Sequence, residues 1–94
     1  MLYLLGSGSG AGPSFGLIYD VRRKPELVAK QLGQRVRALR TAKEWSQEQL
    51  AEEAGMHRTY LWGIEQGTRN PSLRHLTRVA DALGVTLKSL FDEL

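Results

Sequence analysis

The chain has 94 residues, no cysteine and a formal net charge of +3 at pH 7. This length is enough for one small domain, and the absence of cysteine excludes a disulfide framework and a thiolate metal site. The two histidines, His57 and His75, form no metal-binding pattern. No apolar run approaches the roughly 20 residues of a membrane-spanning helix, and the opening MLYLL is too short for a signal peptide. We therefore expect a cytoplasmic protein without metal, cofactor or membrane partner.

The first 24 residues differ in composition from the rest of the chain. Residues 1–19 carry no charged side chain, and the stretch GSGSGAGP is typical of a flexible linker. The apolar segment FGLIYDV, residues 15–21, could instead form an arm that packs on the domain or on a partner subunit. We predict a flexible N-terminal tail or arm over residues 1–24 and leave these two alternatives open.

A first helix is predicted from Pro25, which is tolerated in a first helical turn, to about Lys43. Its apolar residues recur at steps of three and four, which indicates one buried face of an amphipathic helix. Gly33 is expected only to weaken this helix slightly. The apolar residues are Val28, Leu32, Val36 and Leu39.

Two short helices joined by a tight turn are predicted next. Ser46 begins the first of them in a capping box with Gln49, and Gly55 ends it in a left-handed conformation. The second runs from about residue 57 to residue 66 and stops at Gly67. Its first turn offers polar and basic side chains, and such a helix pair suits insertion into the major groove of DNA.

Two more helices complete the predicted domain, residues 25–94. Ser72 caps the first and Gly84 ends it. The last extends from Leu87 to about Glu93 and offers Leu87, Leu90 and Phe91 to the core. The fold class is therefore all-α, with five helices and no strand. The predicted buried stripe of the fourth helix is Leu73, Leu76, Val79, Ala80 and Leu83.

Basic residues outnumber acidic ones strongly between residues 57 and 78. From residue 57 to residue 78, Arg58, Arg69, Arg74 and Arg78 face a single acid, Glu65. Such a distribution indicates a polyanionic partner approached from one side.

Residues Leu32 to Leu90 contain five motifs in a fixed order: LGQRVRALR, WSQEQLAEEAG, YLWGIEQG, RNPSL and VADALGV followed by LKSL. Together they resemble the phage-repressor (Cro-like, or XRE) helix-turn-helix family, which includes restriction–modification controller proteins. The resemblance implies a compact five-helix, lambda-repressor-like DNA-binding domain. It further implies a transcription regulator, by default a repressor, that binds double-stranded DNA at a palindromic operator as a homodimer.

The resemblance also assigns base contacts to the start of the second short helix, the recognition helix. His57, Arg58 and Thr59 occupy these positions, and Arg58 could donate two hydrogen bonds to guanine. His57 could equally serve only as an imperfect helix cap. Trp62 could contact thymine methyl groups or sugars, or could simply cover the edge of the domain. Gly63 departs from the family pattern, which often has a polar side chain there.

Phosphate contacts are implied for Gln47 at the start of the preceding helix and for the loop after the recognition helix. Tyr60 could donate its hydroxyl to a phosphate or pack against the domain. A buried or half-buried salt bridge between Arg40 and Glu65 is implied between the first helix and the recognition helix. The expected phosphate-contacting residues are Gln47, Tyr60, Thr68, Arg69 and Asn70.

The dimer surface is expected from the last helix or from the N-terminal arm. The chain shows no catalytic set of side chains, so we expect no enzyme. The alternative function is an antitoxin-type protein-binding module that carries a helix-turn-helix and binds a protein partner through residues 15–19. The candidate dimer residues are Leu87, Leu90, Phe91 and Leu94.

Overall fold

The computed structural model describes residues 24–92, which contain five α-helices and no strand. The all-α, five-helix fold is therefore confirmed for this part of the chain. The predicted tail or arm, residues 1–24, lies outside the described residues except for Lys24. The helices are α1 (Pro25–Ala42), α2 (Gln47–Ala54), α3 (Arg58–Gln66), α4 (Leu73–Leu83) and α5 (Leu87–Leu90).

Local capping interactions set the boundaries of the helix-turn-helix. The backbone N–H of Gln49 donates to Ser46 Oγ at 3.0 Å, and the N–H of Ser46 donates to Gln49 Oε1 at 2.7 Å, which confirms the capping box. At the end of α2, Gly55 adopts a left-handed φ of 68°, and the N–H of Met56 donates to the carbonyl oxygen of Ala51 at 2.9 Å. The turn between α2 and α3 is thus determined by local sequence.

One hydrophobic core joins all five helices. Helix α1 packs mainly on α3, α2 packs on α3 and α4, and α5 closes the core against α4 and α1. The apolar faces of α2 and α3 lie in this core, as the helical spacing of their apolar residues requires. The buried apolar residues are Leu32, Val36, Leu50, Ala51, Ala54, Leu61, Ile64, Leu76, Val79, Ala80, Leu83 and Leu90.

Gly33 has a role that its helix propensity does not indicate. A Cβ atom at this position would overlap the carbonyl oxygen of Ile64 and would lie 2.5 Å from that of Glu65. At the end of α3, Gly67 approaches α1 in the same way, because its Cβ would lie 2.7 Å from the Cα of Lys30. The two glycines allow the C-terminal part of α3 to lie directly on the backbone of α1.

The structure corrects three expectations about the last two helices. Leu73 is 66% exposed, because it occupies the first position of α4, one turn before the stripe that packs on α2. Phe91 was expected in the core and is 41% exposed. Helix α5 ends at Leu90, since Phe91 has left helical geometry at a φ of −104°. The short α5 is held against α1 by Arg35, whose Nε donates to the carbonyl oxygen of Ser89 at 3.2 Å.

Candidate nucleic-acid interface

The orientation of α3 is fixed by the buried carboxylate of Glu65. Arg40 on α1 donates to it twice, from Nε to Oε2 at 2.7 Å and from Nη2 to Oε1 at 3.0 Å, so the expected ion pair is present. Gln47, the first residue of α2, donates from Nε2 to Glu65 Oε1 at 3.0 Å. The remaining guanidinium nitrogen of Arg40 donates to the carbonyl oxygen of Trp45 at 2.8 Å. One carboxylate therefore holds the start of α2 and the end of α3 in a fixed relation to α1.

The side chain of His57 is folded back onto its own helix. Its Nδ1 accepts a hydrogen bond of 3.1 Å from the backbone N–H of Thr59, so the residue acts as the N-cap of α3. An oxygen-bearing side chain is the usual group at this position, and a ring nitrogen here satisfies one of the helix's otherwise unpaired donors. Of the two roles left open by the sequence, the structure supports capping.

Arg58, Thr59 and Trp62 lie on the exposed side of α3, opposite its buried face. The spacing of four residues between Arg58 and Trp62 brings the two side chains to one face of the helix. Together with Gln47 they line an open depression with a volume of about 190 Å³. Trp62 is 50% exposed, which is unusual for a tryptophan and leaves its indole ring available to a partner.

The loop after α3 positions an arginine over the recognition helix. A Cβ atom at Gly63 would overlap Cγ of Arg69, so the arginine's aliphatic chain lies where another residue would carry a side chain. The guanidinium carbon of Arg69 is 5.2 Å from the centre of the Tyr60 ring. That ring in turn lies 4.6 Å from the ring of His75. The space that a side chain at Gly63 would fill is thus occupied by the aliphatic chain of Arg69.

The other loop residues lie close to this arginine. Thr68 donates from Oγ1 to the carbonyl oxygen of Gly63 at 3.3 Å, and Asn70 is exposed. His75 Nδ1 lies 2.7 Å from Ser72 Oγ, which fixes the ring beside Tyr60 at the start of α4. Thr68 therefore ties the start of the loop to α3, and the contact between Ser72 and His75 belongs to the cap of α4, where the loop ends.

The basic residues of this region are all exposed: Arg58, Arg69, Arg74 and Arg78. Their charges are therefore available to a polyanion, whereas Glu65 is neutralised inside the fold. Within residues 24–92 there is no group of three or more histidine, aspartate or glutamate side chains placed to hold a metal ion. In the same range, no helix combines the length and the apolar character that crossing a bilayer requires.

The candidate dimer residues differ in how far their side chains are exposed. Leu90 is completely buried in the core of a single chain, and Leu87 is partly buried against that core. Phe91 is partly exposed, and Leu94 lies outside the described residues. A partner could therefore reach Phe91 directly, and Leu90 not at all.

Sequence reasoning missed two contributions to this face. It did not identify His75, because no local pattern indicates that the first turn of α4 returns to Tyr60. It also treated Gly63 as a missing side chain, whereas the structure fills that space with Arg69. The spacing of Arg58 and Trp62 was the one available signal that these two residues share a face.

Comparison with known proteins gives the class of this fold. Residues 31–94 match the family model described as a helix-turn-helix domain. The chain belongs to this helix-turn-helix family.

Among its relatives, the control protein C.BamHI of Bacillus amyloliquefaciens is 51% identical over 61 residues, which are 64% of this chain and 75% of that protein. The crystal structure of the restriction–modification controller protein C.AhdI from Aeromonas hydrophila has 46% identity and a TM-score of 0.66, and the match covers 67% of this chain and 96% of that one. The biofilm master regulator SinR, solved in complex with DNA, has 39% identity and a TM-score of 0.62, with coverage of 65% and 98%.

Proposed function

We propose that this chain is a cytoplasmic, sequence-specific DNA-binding transcription regulator that represses by occupying a partly palindromic operator as a homodimer. The observation that carries the proposal is the exposed face of α3, where Arg58, Thr59 and Trp62 stand together on a helix anchored by Glu65. The relatives support it, since they include control proteins and a regulator solved on DNA.

Base recognition is assigned to the first two turns of α3. Arg58 is proposed to donate two parallel hydrogen bonds to O6 and N7 of a guanine, a contact worth about 1–3 kcal/mol of discrimination. Thr59 is proposed to contact the neighbouring base through its hydroxyl or methyl group, and Trp62 to border the same site. His57 contributes by capping the helix, so that any base contact from its ring is secondary.

Phosphate recognition is assigned to the two elements that flank α3. The first turn of α2, beginning at Gln47, offers backbone N–H groups and the positive end of the helix dipole to one phosphate. The loop offers the guanidinium of Arg69, which its contact with Tyr60 already orients. These contacts would set the register on DNA and give the salt dependence of affinity. The proposed set is Gln47, Tyr60, Thr68, Arg69 and Asn70.

A homodimer is proposed because one such domain contacts only a few base pairs, and two-fold symmetry doubles the site that is recognised. Of the candidate dimer residues, Phe91 is exposed and Leu87 partly so, and Leu94 follows them along the chain. Leu90 supports this surface from within the core. No enzymatic activity is proposed, since the matched family domain accounts for residues 31–94.

The test is selection of bound duplexes from a random DNA library with the full chain, combined with light scattering of the free protein. We expect light scattering to give the mass of a dimer. We expect the selection to enrich an inverted repeat whose half-sites lie about one helical turn apart. An enriched sequence without symmetry, bound by a monomer, would contradict the dimer. No enrichment by a folded protein would contradict sequence-specific binding and would favour the alternative, a protein-binding module acting through residues 15–19.

A further inference from the structure

The residues that line the depression beside Trp62 limit the kinds of chemical group that can bind there. Its lining residues are Trp62, which is half exposed, together with Thr59, Arg58 and Gln47. The set combines a large aromatic side chain and a side chain with a methyl group with one cation and one amide. An apolar side chain next to a cation suits a group that carries a small hydrocarbon beside hydrogen-bond acceptors. The depression is small and open to solvent, which suits a group presented by a larger molecule.

DNA presents such a combination in the major groove at one base. Thymine alone among the four standard bases carries a C5-methyl group there, next to its O4 acceptor, while guanine presents only the acceptors N7 and O6. Since Arg58 and Trp62 lie one helical turn apart on one face, a base adjacent to the guanine of Arg58 would meet Trp62. The positive charge of Arg58 favours the approach of a polyanion to this depression.

We infer that the depression formed by Gln47, Arg58, Thr59 and Trp62 binds the C5-methyl group of a thymine next to the guanine contacted by Arg58. This inference rests on the proposed function and deepens it, since it makes Trp62 a specificity-determining residue. Burial of one methyl group against an indole ring would make the complex about fourfold tighter than the same complex without that methyl.

The experiment replaces each thymine of the selected operator, one at a time, by deoxyuridine, which removes only the methyl group. Dissociation constants are measured for the wild-type chain, for Trp62→Ala, and for Leu73→Ala as a control at another exposed apolar residue. We expect deoxyuridine at one position to raise the dissociation constant of the wild type and of Leu73→Ala by about fourfold. In Trp62→Ala the same replacement should have a clearly smaller effect, because the indole ring is gone and only Thr59 remains beside the methyl group.

Two results would overturn the inference. The first is a wild-type chain that binds every deoxyuridine operator as tightly as the thymine operator. The second is a penalty of equal size in Trp62→Ala, which would place the methyl group on another residue. Either result leaves sequence-specific binding intact, whereas failure to select any operator would contradict the proposed function itself. Thermal melts of Trp62→Ala verify that it remains folded.

Discussion

Arg40 and Glu65 form a buried, bidentate ion pair that connects α1 to the recognition helix. The geometry matters because Glu65 sits near the end of α3, so its position determines how the opposite end of the helix is presented. The same carboxylate accepts from Gln47, which ties the start of α2 into the pair. The arrangement explains how a domain this small can hold an exposed face in a defined orientation.

Removing the carboxylate should therefore destabilise the fold. We expect Glu65→Ala to lower the free energy of unfolding by about 3–5 kcal/mol, since it leaves the guanidinium of Arg40 buried without its partner. The control is Arg58→Ala, which removes an exposed charge and should change stability by at most about 0.5 kcal/mol. Thermal melts of both variants measure this difference, and equal melting temperatures would contradict it.

Gly33 provides a test in which two effects have opposite signs. Helix propensity favours alanine over glycine by about 1 kcal/mol, so propensity alone predicts that Gly33→Ala is stabilising. The overlap of the new Cβ with the carbonyl oxygens of Ile64 and Glu65 predicts a loss of about 1–3 kcal/mol instead. We expect the loss. Urea denaturation beside the exposed control Gln34→Ala on the same helix measures the sign, and a more stable Gly33→Ala would contradict the close packing of α1 and α3.

The caps and turns of this chain could be predicted from sequence because their interactions are local. Ser46 and Gln49 are three residues apart, and Gly55 follows their helix directly, so each signal carries its own partner. The ion pair between Arg40 and Glu65 is not local, and it could be expected only through the resemblance to a family. The contacts of Gly33 had no signal of either kind.

The sequence predicts which residues belong to the candidate site, but it does not predict how these residues are arranged. The resemblance pointed to Arg58, Thr59 and Trp62 on α3, but it could not show that they share a depression with Gln47. Leu73 was expected to be buried because it matches the helical period, yet the period does not tell which helical turns another element covers. Long-range packing decides both outcomes, and a single sequence does not encode it in any short pattern.

Gly63 and Arg69 should act as one unit in DNA binding. We expect Gly63→Ala to weaken operator binding about as much as Arg69→Ala, because its Cβ displaces the arginine from Tyr60. The double variant should then bind no more weakly than either single variant, since both remove the same oriented guanidinium. Dissociation constants at one salt concentration measure this coupling. Strictly additive losses would show that Arg69 does not depend on Gly63.

The capping role of His57 can be separated from base contact by one substitution. We expect His57→Ser to hold or raise stability by up to about 1 kcal/mol, because serine is a preferred N-cap residue. If His57 acts as a cap, the affinity of His57→Ser for the operator should equal that of the wild type. A comparison with His57→Ala, which removes the cap, controls for helix fraying. A loss of affinity in His57→Ser as large as that in His57→Ala, with the stability of His57→Ser retained, would assign the ring to a base.

The most direct test of the account is a double-mutant cycle between Arg58 and the operator guanine. Dissociation constants are measured for wild type and Arg58→Ala on the selected operator and on one whose guanine is replaced by 7-deazaguanine, which lacks the N7 acceptor. If Arg58 contacts this guanine, the wild type binds the modified operator more weakly, while Arg58→Ala binds both operators equally. An identical penalty for the two proteins would contradict the assignment of Arg58 to guanine, and with it the proposed mode of recognition by α3.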